Sequence, residues 1–94
     1  MVRIVSALAL AAIAFAGGAA PAAERTVTLV VDNMYCDACP YIVKQTLSRV
    51  PGVGTVVVSY EQKTATVTYD DEGTTIEALT SATMDAGYPS RPAP

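Results

Sequence analysis

From Thr26 the chain alternates. In Thr26-Val27-Thr28-Leu29-Val30-Val31, residues Val27, Leu29 and Val31 fall on one side, the period-two pattern of a strand with one buried face. The period changes at Pro40. Val43, Leu47 and Val50 recur at i, i+4 and i+7, while Lys44, Gln45, Ser48 and Arg49 point away, which predicts a helix over 40–50. Pro40 suits the first helical position, where its missing N–H has no partner to lose, and Pro51-Gly52 ends the run.

Alternation then returns twice. Val56, Val58 and Tyr60 predict a second strand facing inward, Ala65, Val67 and Tyr69 a third, and the polar stretch 61–64 between them makes the pair a β-hairpin. Beyond the solvated acidic turn Asp70-Asp71-Glu72-Gly73, Thr74 with Glu77 three positions on fits a capping box. Ile76, Leu79, Thr80 and Thr83 share one face of the helix it opens, and Gly87 closes that helix. The tail holds at most a short strand, which Pro89 and Pro92 confine to an edge. The order βαββαβ predicts an α+β fold of the ferredoxin-like plan, with two helices on one face of a four-stranded antiparallel sheet.

Residues 1–22 do not belong to this pattern. Arg3 is followed by an apolar run from Ile4 to Phe15 and then by Ala, Gly and one Pro, the order of a secretory signal with an A-x-A site at 20–22. The run falls short of the roughly 20 apolar residues of a membrane span, so the product expected is a soluble one of residues 23–94, with no membrane insertion after cleavage. From residue 23 onward five basic side chains face nine acidic ones, a net of −4. That balance makes nucleic acid and anionic lipid poor partners. Two cysteines are too few for a disulfide-built scaffold, so the core has to come from the elements.

Those two cysteines, Cys36 and Cys39, stand in Asn33-Met34-Tyr35-Cys36-Asp37-Ala38-Cys39-Pro40, between the first strand and the first helix. The free N–H groups and positive dipole end of a helix start favour thiolate, which serves both disulfide exchange and soft-metal ligation. A closed zinc site needs four ligands. The chain has two thiol sulfurs and no histidine, a donor set that suits Hg(II) or Cu(I), ions content with low coordination numbers. An inert disulfide and a thioredoxin-like redox pair stay open on spacing alone, although the early hairpin argues against a thioredoxin order of elements. Met34 reads as a core residue anchoring the loop rather than a third ligand. Tyr35, Tyr41 and Tyr88 read as half-buried packing, with Tyr88 at the same end of the sheet as the cysteines.

The stretch Asn33-Met34-Tyr35-Cys36-Asp37-Ala38-Cys39 resembles the Gly-Met-x-Cys-x-x-Cys motif of the heavy-metal-associated domain family. Cys39-Pro40, the strand Thr26-Val27-Thr28-Leu29 and the closing Thr80-x-x-Thr83-x-Asp85-Ala86-Gly87-Tyr88-Pro89-Ser90 are similar to the family's periplasmic mercury-binding branch. The resemblance covers 23–94. It implies a periplasmic, monomeric, non-enzymatic carrier that holds one Hg(II) between Cys36 and Cys39 and passes it by thiolate exchange to a membrane-embedded mercury transporter. The same fold used for Cu(I) is the nearest alternative, and a thiol–disulfide oxidoreductase the more distant one. Three positions depart from the family pattern: Asn33 stands for Gly, Tyr35 for a smaller Thr, and Asp37 for a small neutral residue. Asn is the next-best residue for a left-handed backbone, which keeps the loop shape accessible.

Overall fold

Leu29, Val31, Val43, Leu47, Val67 and Leu79, all singled out by their spacing, are fully or nearly fully buried in one cluster, while Val27, Val50, Val58 and Ile76, also expected inward, pack against it partly buried. The structure, a computed structural model, describes residues 23–94; the expected signal at 1–22 lies outside the described residues. The elements run β1 (Glu24–Val31), α1 (Cys39–Ser48), β2 (Val53–Ser59), β3 (Thr64–Asp70), α2 (Ile76–Asp85) and β4 (Ser90–Pro92). The strands form one sheet in the order β2-β3-β1-β4, with every neighbouring pair antiparallel. This is the expected ferredoxin-like plan, and the weak last strand is indeed an edge, three residues long.

The helices cover one face of the sheet. α1 contributes Cys39, Val43 and Leu47, and α2 contributes Leu79 and Thr83. They meet Leu29 and Val31 of β1, Val56 of β2, and Ala65, Val67 and Tyr69 of β3. Each fully buried leucine contributes about 1.5–3 kcal/mol over its exposed state. The other face carries threonines in cross-strand pairs, Thr26 opposite Thr68 and Thr28 opposite Thr66. β-Branched polar residues fit a pleated surface that stays wet, so this sheet needs only one apolar side.

Several boundaries differ from the sequence pattern. α1 begins at Cys39, so Pro40 is its second residue rather than its first. The cap of α2 is Thr75, whose Oγ1 accepts from the Ala78 N–H at 3.1 Å, and not Thr74. Thr75 has the extended backbone of a cap, φ −133 and ψ 164, immediately before the first helical residue, while Thr74 is buried one residue too early. Glu77 therefore sits in the first turn without closing a box, where its charge still favours the helix dipole. Thr64 belongs to β3, opposite Ser59, which shortens the turn. Tyr60 lies just past β2 and is 41% exposed, so it is not part of the inward face.

The end of α2 is built as Gly87 promised. With φ +97, Gly87 takes the left-handed position, its N–H reaching the Met84 carbonyl at 2.9 Å while the Tyr88 N–H reaches that of Thr83 at 2.8 Å. These two bonds are the Schellman closure. They turn the chain back toward β1 and set the direction of Tyr88.

Candidate metal centre

Three connections meet at one end of the sheet. Where β1 finishes, the Val31 N–H binds the Lys63 carbonyl of the β2–β3 turn, and the Asp32 N–H binds the Pro89 carbonyl of the α2–β4 connection, both at 2.8 Å. Asn33 adopts the left-handed conformation, φ 68, and its Nδ2 donates to the Gly87 carbonyl at 3.2 Å. Its side chain thereby joins two of the loops, which the glycine of the family motif cannot do. Met34 follows, fully buried as expected of a core anchor, and the loop carrying Cys36 rises from that anchor.

Cys36 is exposed and Cys39 is 4% exposed, with Cα atoms 5.2 Å apart and the sulfurs joined as a disulfide. The structure is therefore the oxidised form, and ligation by either sulfur belongs to the reduced one. The asymmetry comes from the backbone: Cys39 is already in α1 and faces the core, while Cys36 is still in the loop. Cys39 Sγ accepts from the Cys36 N–H at 3.2 Å and from the Tyr88 hydroxyl at 3.2 Å. Both donors favour negative charge on that sulfur. The first turn of α1 has no acidic side chain to oppose it, and Asp37 is exposed.

Tyr88 therefore does what its position suggested, reaching from the far connection to the inner sulfur. Tyr35 and Tyr41 are instead 75% and 64% exposed, more open than half-buried packing. Lys63 is the residue that sequence reasoning missed. Its Nζ donates to the Met34 carbonyl at 2.8 Å and lies 3.6 Å from the Tyr60 ring centroid, while the Tyr60 hydroxyl donates to the Tyr35 carbonyl at 3.1 Å. A polar turn residue carries no periodic signal, so only the packing of hairpin on loop reveals it.

Among the described residues no group of three or more His, Cys, Asp and Glu side chains comes together. The reduced pair thus offers two sulfurs and no third strong ligand, which fits a soft ion in two-coordination and leaves zinc short of its four ligands. A surface hollow beside Glu24, Gly52 and Tyr69 lies at the opposite end of the sheet, away from the cysteines. Cys36 sits on an exposed loop, accessible to an incoming ligand from another molecule, while Cys39 is covered at the start of α1.

A ferredoxin-like domain with a Cys-x-x-Cys pair where its first strand gives way to its first helix defines a class of small soft-metal-binding domains. The heavy-metal-associated domain model matches residues 28–89, and the chain belongs to that family. It is 51% identical over 92 residues to the mercuric transport protein periplasmic component of Pseudomonas fluorescens, covering 96% of each chain. Among solved structures it is similar to MerP in two states. The oxidised protein from Ralstonia metallidurans CH34 has 50% identity and a TM-score of 0.75, and the mercury-bound form 50% and 0.68; each match covers 77% of this chain and all of the other. A copper-binding domain of a P-type ATPase matches with 28% identity and a TM-score of 0.72 over 74% of this chain and 95% of its own.

Proposed function

We propose that this protein is a periplasmic Hg(II) carrier, exported by the signal at 1–22, in which reduced Cys36 and Cys39 hold one ion between their sulfurs. The observation that carries the reading is the pair itself: one sulfur on an exposed loop and one at the helix start beside it, without a third strong ligand among the described residues, in a chain half identical to a protein solved with mercury bound. The disulfide first takes up two electrons and two protons from a thiol reductant, and the resulting dithiol loses both protons as it binds the ion. Handover follows by exchange. An incoming thiolate adds to the Hg(II), giving a three-coordinate species with one negative charge, and one original sulfur then leaves as thiolate. Cys36, exposed and in the loop, is the sulfur placed to leave first; Cys39 stays with its Tyr88 and backbone donors.

Once the pair is reduced and loaded, handover changes metal–sulfur bonds alone, so the role is binding and transfer rather than catalysis. The acceptor is a membrane-embedded mercury transporter, and the carrier acts as a monomer. Cu(I) is the second reading, supported by the likeness to a copper-binding domain and by a donor set that serves either ion. The test is titration of the reduced protein with Hg(II) in parallel with Cys36→Ser and Cys39→Ser. Each single variant should lose tight one-to-one binding. A double variant that binds Hg(II) as tightly as the parent would remove the site.

A further inference from the structure

We propose that Lys63, with Tyr60, is a positioning residue for Cys36: the β2–β3 turn grips the loop by two successive carbonyls and so controls how readily Cys36 swings off a bound ion. The proposal rests on the Hg(II)-carrier reading of the site. Its geometry is independent of the sulfurs. Lys63 Nζ binds the Met34 carbonyl at 2.8 Å and the Tyr60 hydroxyl binds the Tyr35 carbonyl at 3.1 Å, the two carbonyls immediately before Cys36 in the chain. The ammonium is itself held between rings, 3.6 Å from the centroid of Tyr60 and 5.5 Å from that of Tyr35. A half-buried cation shared by a carbonyl and an aromatic face makes a stronger tie than a neutral hydrogen bond.

The backbone at Lys63 supports a role for the side chain. Its φ is 59, in the left-handed region where a lysine is strained and a glycine is not. The residue best for the turn is thus absent, and one that reaches the metal loop is present. On the other side the loop is fixed by the buried Met34 and by Asn33 on Gly87, leaving Cys36 as the segment whose freedom the grip decides. Exchange needs that freedom, because a sulfur must move away once a third ligand has bound. A tight grip slows release to small thiols that meet the ion by chance. An acceptor that displaces the exposed Tyr35 ring would loosen it.

The test combines amide hydrogen exchange at Tyr35 and Cys36 with the rate at which the Hg(II)-loaded protein yields its ion to glutathione. Lys63→Met should speed both by roughly tenfold. Lys63→Gly should do the same while leaving thermal stability equal or higher, which separates loss of the grip from loss of the fold. Lys63→Arg, which keeps a charged donor and a cation for the ring, should stay within about twofold of the parent, and Tyr60→Phe should fall between. If Lys63→Met and Lys63→Gly leave both rates within about twofold, or if Lys63→Arg is as fast as Lys63→Met, the proposal is wrong. If the parent binds no Hg(II), the carrier reading fails, and amide exchange alone still decides the grip.

Discussion

Cys36 and Cys39 are three residues apart in sequence and differ sharply in setting. One is exposed on the loop; the other is in the core, with two hydrogen bonds to its sulfur. A thiol attacking the disulfide meets Cys36 first, and the electron pair leaves on Cys39, where the Tyr88 hydroxyl is waiting. Tyr88→Phe removes that donor without changing the packing of the ring, so reduction by a monothiol should slow by roughly three- to tenfold, measured by trapping free thiols over time. Asn33 gives a second prediction at this scale. Asn33→Gly keeps the left-handed backbone and loses only the bond to Gly87, so stability should fall by no more than about 1 kcal/mol. Asn33→Val, β-branched at φ 68, should cost about 2 kcal/mol in denaturant unfolding.

The elements were legible because their apolar spacing agrees with their local signals. Val43 and Leu47 mark α1, Leu29 and Val31 mark β1, and each is buried where the period places it. What spacing could not resolve were choices between neighbours. Thr74 and Thr75 both look like caps in one dimension, and the decision is tertiary: the first is buried, and the second takes the extended backbone from which its hydroxyl meets the Ala78 N–H. Tyr60 continues the alternation of β2, but the pairing of Ser59 with Thr64 ends the ladder before it and frees the ring to meet Lys63. Thr75→Ala should therefore destabilise by about 1 kcal/mol, and Glu77→Gln by less, since Glu77 closes no box. Leu79→Ala, which opens a cavity under α2, should cost about 2–5 kcal/mol. Thermal or chemical unfolding of the three variants would rank them in that order: Leu79, Thr75, Glu77.

At the scale of the molecule the two ends of the sheet do different work. At the end away from the cysteines, Gly52 has φ +94, and a Cβ there would lie 2.8 Å from the Gly73 carbonyl carbon, so two loops close in backbone contact. Gly52→Ala should destabilise the fold by about 2 kcal/mol or more while leaving Hg(II) stoichiometry unchanged in whatever remains folded. At the metal end side chains join the loops in addition to backbone bonds: Asn33 on Gly87, Lys63 on Met34, Tyr60 on Tyr35 and Tyr88 on Cys39. The cysteine pair and Tyr88 could be placed from the sequence because the element order puts both connections at one end. The grip of Lys63 could not, because it depends on the depth at which the hairpin meets the loop.

The carrier's function rests on its two-sulfur site, which a competition titration probes without an intermediary. The reduced protein is offered Hg(II), Cu(I) and Zn(II) together, and the bound species is read by native mass spectrometry. One Hg(II) per chain is expected, with Zn(II) not retained because the site supplies two of the four ligands it needs. Retention of Cu(I) in preference to Hg(II), or of Hg(II) by a protein whose two cysteines are both serine, would contradict it.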